Sequence, residues 1–129
     1  MAYELIWETR GVVCRFTGVA SDQDLRAANL GMTEDPRFDC LEYQLVDFVD
    51  VETLDFTSNM IRWAASHDYQ ASMRNSSVRV AIVGDNTLLL GLANMYRALF
   101  DIEGGTWEQG QFNTVDEARV WLGSADPSE

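Results

Sequence analysis

Residues 78–83, VRVAIV, carry five apolar side chains in six positions and show no alternation. Such a run reads as a central strand covered on both faces, the mark of a parallel sheet with helices packed on it. Gly84-Asp85-Asn86 breaks the run and starts a helix over 86–100, with Leu89, Leu92, Ala93, Tyr96, Leu99 and Phe100 along one stripe. The rest of the chain fits the same scheme. Tyr3, Leu5 and Trp7 alternate with Glu4, Ile6 and Glu8 over 3–8, and Val12, Cys14 and Phe16 with Val13, Arg15 and Thr17 over 12–17. With Arg10-Gly11 between them, the two segments form an antiparallel hairpin. Ser21 and Asp24 form a variant capping box for a helix to Met32, with Leu25, Ala28 and Met32 inward. Pro36 ends any continuation. A strand over 43–49 (YQLVDFV) precedes a helix over 55–69 with Met60, Ile61, Ala64 and Ala65 inward. A weaker, edge-like strand over 106–112 follows the helix at 86–100. Thr114 and Glu117 then cap a last helix whose Ala118, Trp121 and Leu122 face the sheet.

The order is ββαβαβαβα. It predicts an α/β fold with a mostly parallel central sheet, opened by an antiparallel hairpin, and helices packed on the sheet. At 129 residues and 47% hydrophobic composition the chain suits one domain, residues 1–123, followed by a flexible tail at 124–129.

The net charge is −12, and every basic residue is an arginine. That balance disfavours nucleic acid, which needs clustered positive charge, and simple electrostatic docking on anionic lipid. Residues 34–55 hold eight acids against Arg37 alone. They form either a solvated face or a docking surface for a basic protein partner. The opening MAYELIWETR lacks the basic and apolar regions of a signal peptide, and no apolar run reaches membrane-spanning length. Cys14 and Cys40 are not spaced as a CxxC pair, so the expected setting is cytoplasmic and reducing.

No catalytic signature stands out. His67 is the only histidine and has no cysteine near it in sequence, so a packed imidazole is expected and no metal or cofactor is assigned. Glu103-Gly104-Gly105 has no helix behind it to bind a dinucleotide. Acidic pairs such as Asp47 with Asp50 are commonplace in so acidic a chain. Arg79 interrupts the apolar strand and is expected to find a carboxylate, from the 34–55 segment, or to reach water at the strand start.

The helix at 86–100 is apolar around most of its circumference, because Leu88, Leu90 and Met95 add to its inner stripe. It is either buried against a neighbouring helix, a homodimer face, or one wall of a groove for an apolar ligand. The groove reading names Met60, Trp63, Leu88, Leu89, Tyr96 and Phe100 as ligand-binding residues. It also expects Leu88 or Leu90 to be exposed in the monomer or covered by a second subunit.

Three local patterns resemble the SpoIIAA-like family: a strand ending in aspartate (YQLVDF), a second apolar strand (VRVAIVGDN), and the closing QFNTVDEARVWL. That family shares its fold with the STAS domains of anti-sigma-factor antagonists and is related to the lipid-binding CRAL-TRIO fold. The resemblance covers about residues 3–122. It implies a non-enzymatic binding domain for a small apolar or lipid-like ligand, with peripheral membrane contact as one setting. Its alternative is a protein-binding regulator. In the antagonists a serine after the third strand is phosphorylated; here Asp55, Phe56, Thr57 and Ser58 fall on that motif, with Phe56 in place of the serine. The resemblance thus implies a degenerate phosphorylation site in which Phe56 makes an apolar contact and Thr57 keeps a hydroxyl.

Overall fold

The computed structural model describes residues 2–123. A hairpin of β1 (Tyr3–Trp7) and β2 (Gly11–Ser21) leads into α1 (Asp22–Thr33) and a 3₁₀ turn at Pro36–Cys40. β3 (Tyr43–Asp55), α2 (Ser58–Ser72), β4 (Arg79–Val83), α3 (Thr87–Ile102), β5 (Glu108–Phe112) and α4 (Val115–Leu122) follow. The strands lie side by side in sequence order, with β1 antiparallel to β2 and every later pair parallel. The α/β order ββαβαβαβα is therefore the one the periodicity predicts. β4 is interior, as its composition requires, and β5 is an edge; the middle strand is β3.

The sheet order dictates the layers. Each parallel crossover steps one strand in the same direction, and right-handed connections then place all crossover helices on one face. Ala28 of α1, Ile61 of α2 and Leu89 of α3 accordingly share a core with Val12, Cys14, Phe16 and Val80. The strand residues of opposite parity, Val13, Leu45, Ala81 and Val83, pack against Ala118 of α4. Bidentate contacts of Arg119 to Glu8, at 2.7 and 2.8 Å, tie α4 to the hairpin.

Helix starts are set locally. The Ser21 hydroxyl accepts from the Asp24 amide at 3.3 Å, while the Asp24 carboxylate accepts from the Ser21 amide at 3.1 Å. Asn86 Oδ1 accepts from the Leu88 and Leu89 amides at 2.7 and 3.3 Å. The Thr114 hydroxyl accepts from the Glu117 amide at 3.2 Å.

One expectation needs correction. β3 does not stop near residue 49 but continues beside β2 to Asp55, so α2 begins at Ser58 rather than at 55. The Ser21–Asp55 pairing holds the chain extended, and Thr57 takes the cap, its hydroxyl accepting from the Met60 amide at 3.2 Å. Of the two settings expected for Arg79 the structure has the second, the strand start with the side chain one-third exposed. At the first position of β4 it donates to the Trp121 carbonyl at 2.8 Å, lies 4.0 Å over the Trp121 ring, and has Glu108 of β5 at 3.9 Å.

The long β2–β3 ribbon is bent. Its register shifts between Arg15 and Thr17 and again between Gly18 and Val19, where Gly18 has φ +63°. Bulges of this kind bend a strand and increase its twist. The consequence is measurable at Phe56. Eight residues of straight strand would separate it from Phe48 by ~26 Å, yet the two ring centroids are 6.0 Å apart. Phe56 meets Phe48 at 74° and Phe16 at 75°, while Phe16 and Phe48 stack at 4.9 Å.

A Cβ on Gly18 would meet nothing within 4 Å. Gly18→Ala therefore isolates the backbone conformation. It should cost about 1–2 kcal/mol, the usual penalty for a left-handed non-glycine residue. Urea unfolding checks this; an unchanged midpoint would contradict the role given to the bulge.

Candidate functional site

Between the sheet and the three crossover helices lies a cavity of about 90 Å³. Its floor is Cys14 and Phe16 of β2, Gln44, Val46 and Phe48 of β3, and Val80 and Ile82 of β4. The β3 residues share one parity and extend the floor along ~13 Å of strand. Each helix contributes an alanine to the roof, Ala28, Ala64 and Ala93. Those short side chains leave room that Leu25, Ile61, Leu89 and Leu92 border. Phe56 lines the cavity as well, and it is half-buried.

Four polar side chains face this apolar space: Asn29, Gln44, Asp68 and Tyr96. All are buried, Gln44 at 2% exposure and Asp68 at 5%. The Tyr96 hydroxyl donates to Asp68 Oδ2 at 2.5 Å. Asp68 Oδ1 and Gln44 Nε2 are buried and make no hydrogen bond among the described residues. Burial pushes the Asp68 carboxyl up to about 7; the Tyr96 hydroxyl and the nearby Asn29 side chain offset part of that rise, but neither satisfies Oδ1. Burial, with Asp68 adding to it, also raises the Tyr96 phenol well above its ordinary value. Cys14, on the same floor, is a small core residue, its thiol pushed up to about 12 by burial and by Asp47.

The groove expected between the helices at 55–69 and 86–100 is thus a cavity under three helices, walled by the sheet. Leu89 and Tyr96 line it. Phe100, fully buried, packs on Tyr96 and Trp107 instead. Met60 is buried beside a shallow surface depression with Asp22, Arg26 and Thr57. Trp63 points to the outer seam of α1 and α2, stacked on His67 at 4.8 Å with the Arg26 guanidinium 4.4 Å from its ring. Leu88 is 53% exposed on the first turn of α3, and Leu90 is half-buried.

His67 is a packed imidazole. Its Nε2 lies 2.8 Å from the Thr33 hydroxyl, and burial lowers its pKa. Among the described residues no group of three His, Cys, Asp or Glu side chains is placed to hold a metal ion. Asp55 ends β3 exposed, and Ser58 is the exposed first residue of α2. Thr57 is held by Asp22, whose carboxylate accepts from the Thr57 amide at 2.9 Å and from its hydroxyl at 2.7 Å. No helix of the described residues is long and apolar enough to cross a membrane. No family model matches the chain, and no curated protein matches it.

The raised Asp68 pKa couples stability to pH. The folded state holds the proton more tightly than the unfolded state, so the stabilisation is complete below about pH 4 and is lost as pH rises through about 7. Relative to Asp68→Asn, which has no such titration, the wild type should lose on the order of 4 kcal/mol across that window at most. Denaturant unfolding of both proteins from pH 4 to 8 checks this. Parallel stability curves would contradict it.

Proposed function

We propose that this chain is a non-enzymatic binding protein that takes a small apolar or lipid-like ligand in the cavity under α1, α2 and α3. The observation that carries the reading is the cavity itself: an almost wholly apolar space with a few converging polar side chains, the usual make-up of a small-molecule site. Its ~13 Å floor and modest volume suit a linear chain better than a bulky ring system. The Phe56 ring acts as a lining residue at the end of the bent ribbon. The resemblance to the SpoIIAA-like family, with its relation to lipid-binding domains, supports the same reading. The unpaired Cys14 and Cys40 fit a cytoplasmic setting. Exposed Leu88 beside the cavity-lining Leu89 supplies an apolar contact for a membrane surface during ligand transfer, or for a second copy of the chain.

A second reading, a protein-binding regulator, draws on the surface of the 34–55 segment. Glu34, Asp39, Glu42, Asp50, Glu52 and Asp55 are exposed, and so is Thr57. In that reading the acids meet a basic partner. A phosphate on Thr57 would sit at a helix N-terminus, where it is favoured, but beside Asp22, where it is not.

Ligand binding should show as thermal stabilisation. A linear probe such as 1-methoxyhexane should raise the unfolding midpoint of the wild type with concentration, by mass action. Ala64→Leu, which adds three carbons at the roof, should abolish the rise. No rise in the wild type, or an equal rise in the variant, would sink the reading. Thr57→Ala tests the cap separately and should cost ~1–2 kcal/mol, since it also loses the Asp22 contact.

A further inference from the structure

We propose that the ligand of this cavity carries a hydroxyl group at one end of a short linear apolar body, the hydroxyl donating to Asp68 Oδ1 and accepting from Gln44 Nε2. The inference rests on the ligand reading above and specifies its chemistry.

Asp68 and Gln44 come from different elements, α2 and β3, and line one small cavity. Both side chains are more than nine-tenths buried, and each has one buried polar atom without a partner among the described residues. Buried polar atoms are nearly always satisfied, because leaving one unpaired destabilises the fold. The surroundings do not supply the missing bonds. The Tyr96 hydroxyl is committed to the other carboxyl oxygen, Oδ2; the Asn29 side chain lies close enough to favour the Asp68 carboxylate but makes no hydrogen bond to Oδ1; and the aliphatic and aromatic remainder of the lining has no donor or acceptor to offer. A chain that retains two such atoms on one apolar cavity presents a matched pair: an oxygen that takes a proton donor and an amide nitrogen that takes an acceptor.

The pair selects among head groups. An ammonium group satisfies Asp68 but has no acceptor for Gln44. A carboxylate satisfies Gln44 but offers Asp68 no proton, and beside ionised Asp68 it brings a like charge. A carboxamide offers both functions but has more hydrogen-bonding capacity than two partners fill, so the excess is buried unpaired. A hydroxyl is the smallest group that donates and accepts at once. Val46, Phe48, Phe56, Leu89 and Leu92 then surround the apolar remainder.

The test compares 1-hexanol with 1-methoxyhexane and 1-chlorohexane, which keep the chain and lack the donor. Binding to the full chain is followed by ¹⁵N–¹H chemical shifts. All three should perturb amides around the cavity, including Phe56 and Leu89, and the alcohol should bind at least ~10-fold more tightly, as one hydrogen bond to a buried carboxyl implies. In the double variant Asp68→Leu/Tyr96→Phe, which removes the carboxyl without orphaning the phenol, that preference should fall below about twofold. If the variant does not fold, the wild-type comparison alone decides. Equal affinities in the wild type, the result expected where water answers both polar atoms, would overturn the hydroxyl assignment and leave the ligand reading intact. Binding of none of the three would overturn both. A preference that persists in the double variant, or shifts confined to amides away from the cavity, would overturn the assignment to Asp68.

Discussion

Every parallel crossover in this chain steps across the sheet in the same direction, and the placement of the helices follows from that one-way winding. Right-handed connections leave α1, α2 and α3 no choice but the same face. Helices pack ~8–10 Å apart while strands advance only ~4.8 Å, so three consecutive helices form a layer wider than the strands they connect. The two layers meet through aromatic side chains at both ends. Phe38, Phe100 and Trp107 pack together near the starts of the parallel strands. Phe16, Phe48 and Phe56 do so toward the far end, where the bulged ribbon brings Phe56 back. Between these aromatic clusters the roof is made of Ala28, Ala64 and Ala93, and the space they leave is the cavity.

The polar groups in that space give the cavity its character. Asp68, its pKa raised to about 7 by burial and its Oδ1 unpartnered, and Gln44, with its Nε2 unpartnered on an otherwise apolar floor, detract from the stability of the fold. A core built only for stability would have placed aliphatic side chains there, since a partly satisfied polar network is worse than an apolar one. Under the proposed ligand reading, the same groups become favourable once a ligand supplies the complementary atoms. That reading links folding stability and ligand affinity through one set of side chains. Across the sheet, the Glu8–Arg119 pair is by contrast fully engaged and fastens α4 without involvement in the cavity.

Much of this was legible from local signals. Ser21 with Asp24, Asn86 and Thr114 with Glu117 mark helix starts because a cap depends on residues within one turn. The unbroken VRVAIV marks an interior strand because both its faces are covered. The full length of β3 was not legible, since its extension to Asp55 depends on pairing with β2 across a bulge at Gly18, a non-local event. The pattern of inward residues also says nothing about whether the layer above fills the space, and of the residues named from it Leu89 and Tyr96 line the cavity whereas Trp63 does not. Trp63 has the composition of a cavity residue, but Arg26 and His67 hold it at the outer seam. The polar lining left a faint trace. Gln44 shares the parity of Val46 and Phe48, and Asp68 falls one turn after Ala64, so each interrupts an apolar stripe. A single sequence shows such interruptions without telling a buried polar group from a solvated one.

The central claim is that an accessible apolar cavity lies between the alanine roof and the β3 floor. Xenon is a probe of such space, because it enters apolar cavities and makes no demand on hydrogen bonding. A crystal structure determined under xenon pressure tests the claim most directly. The account predicts ordered xenon among Phe48, Ala64, Leu89 and Ala93, with the side chains of the roof unmoved. A structure in which the helices close onto the sheet, or in which no xenon enters beneath them, would contradict it.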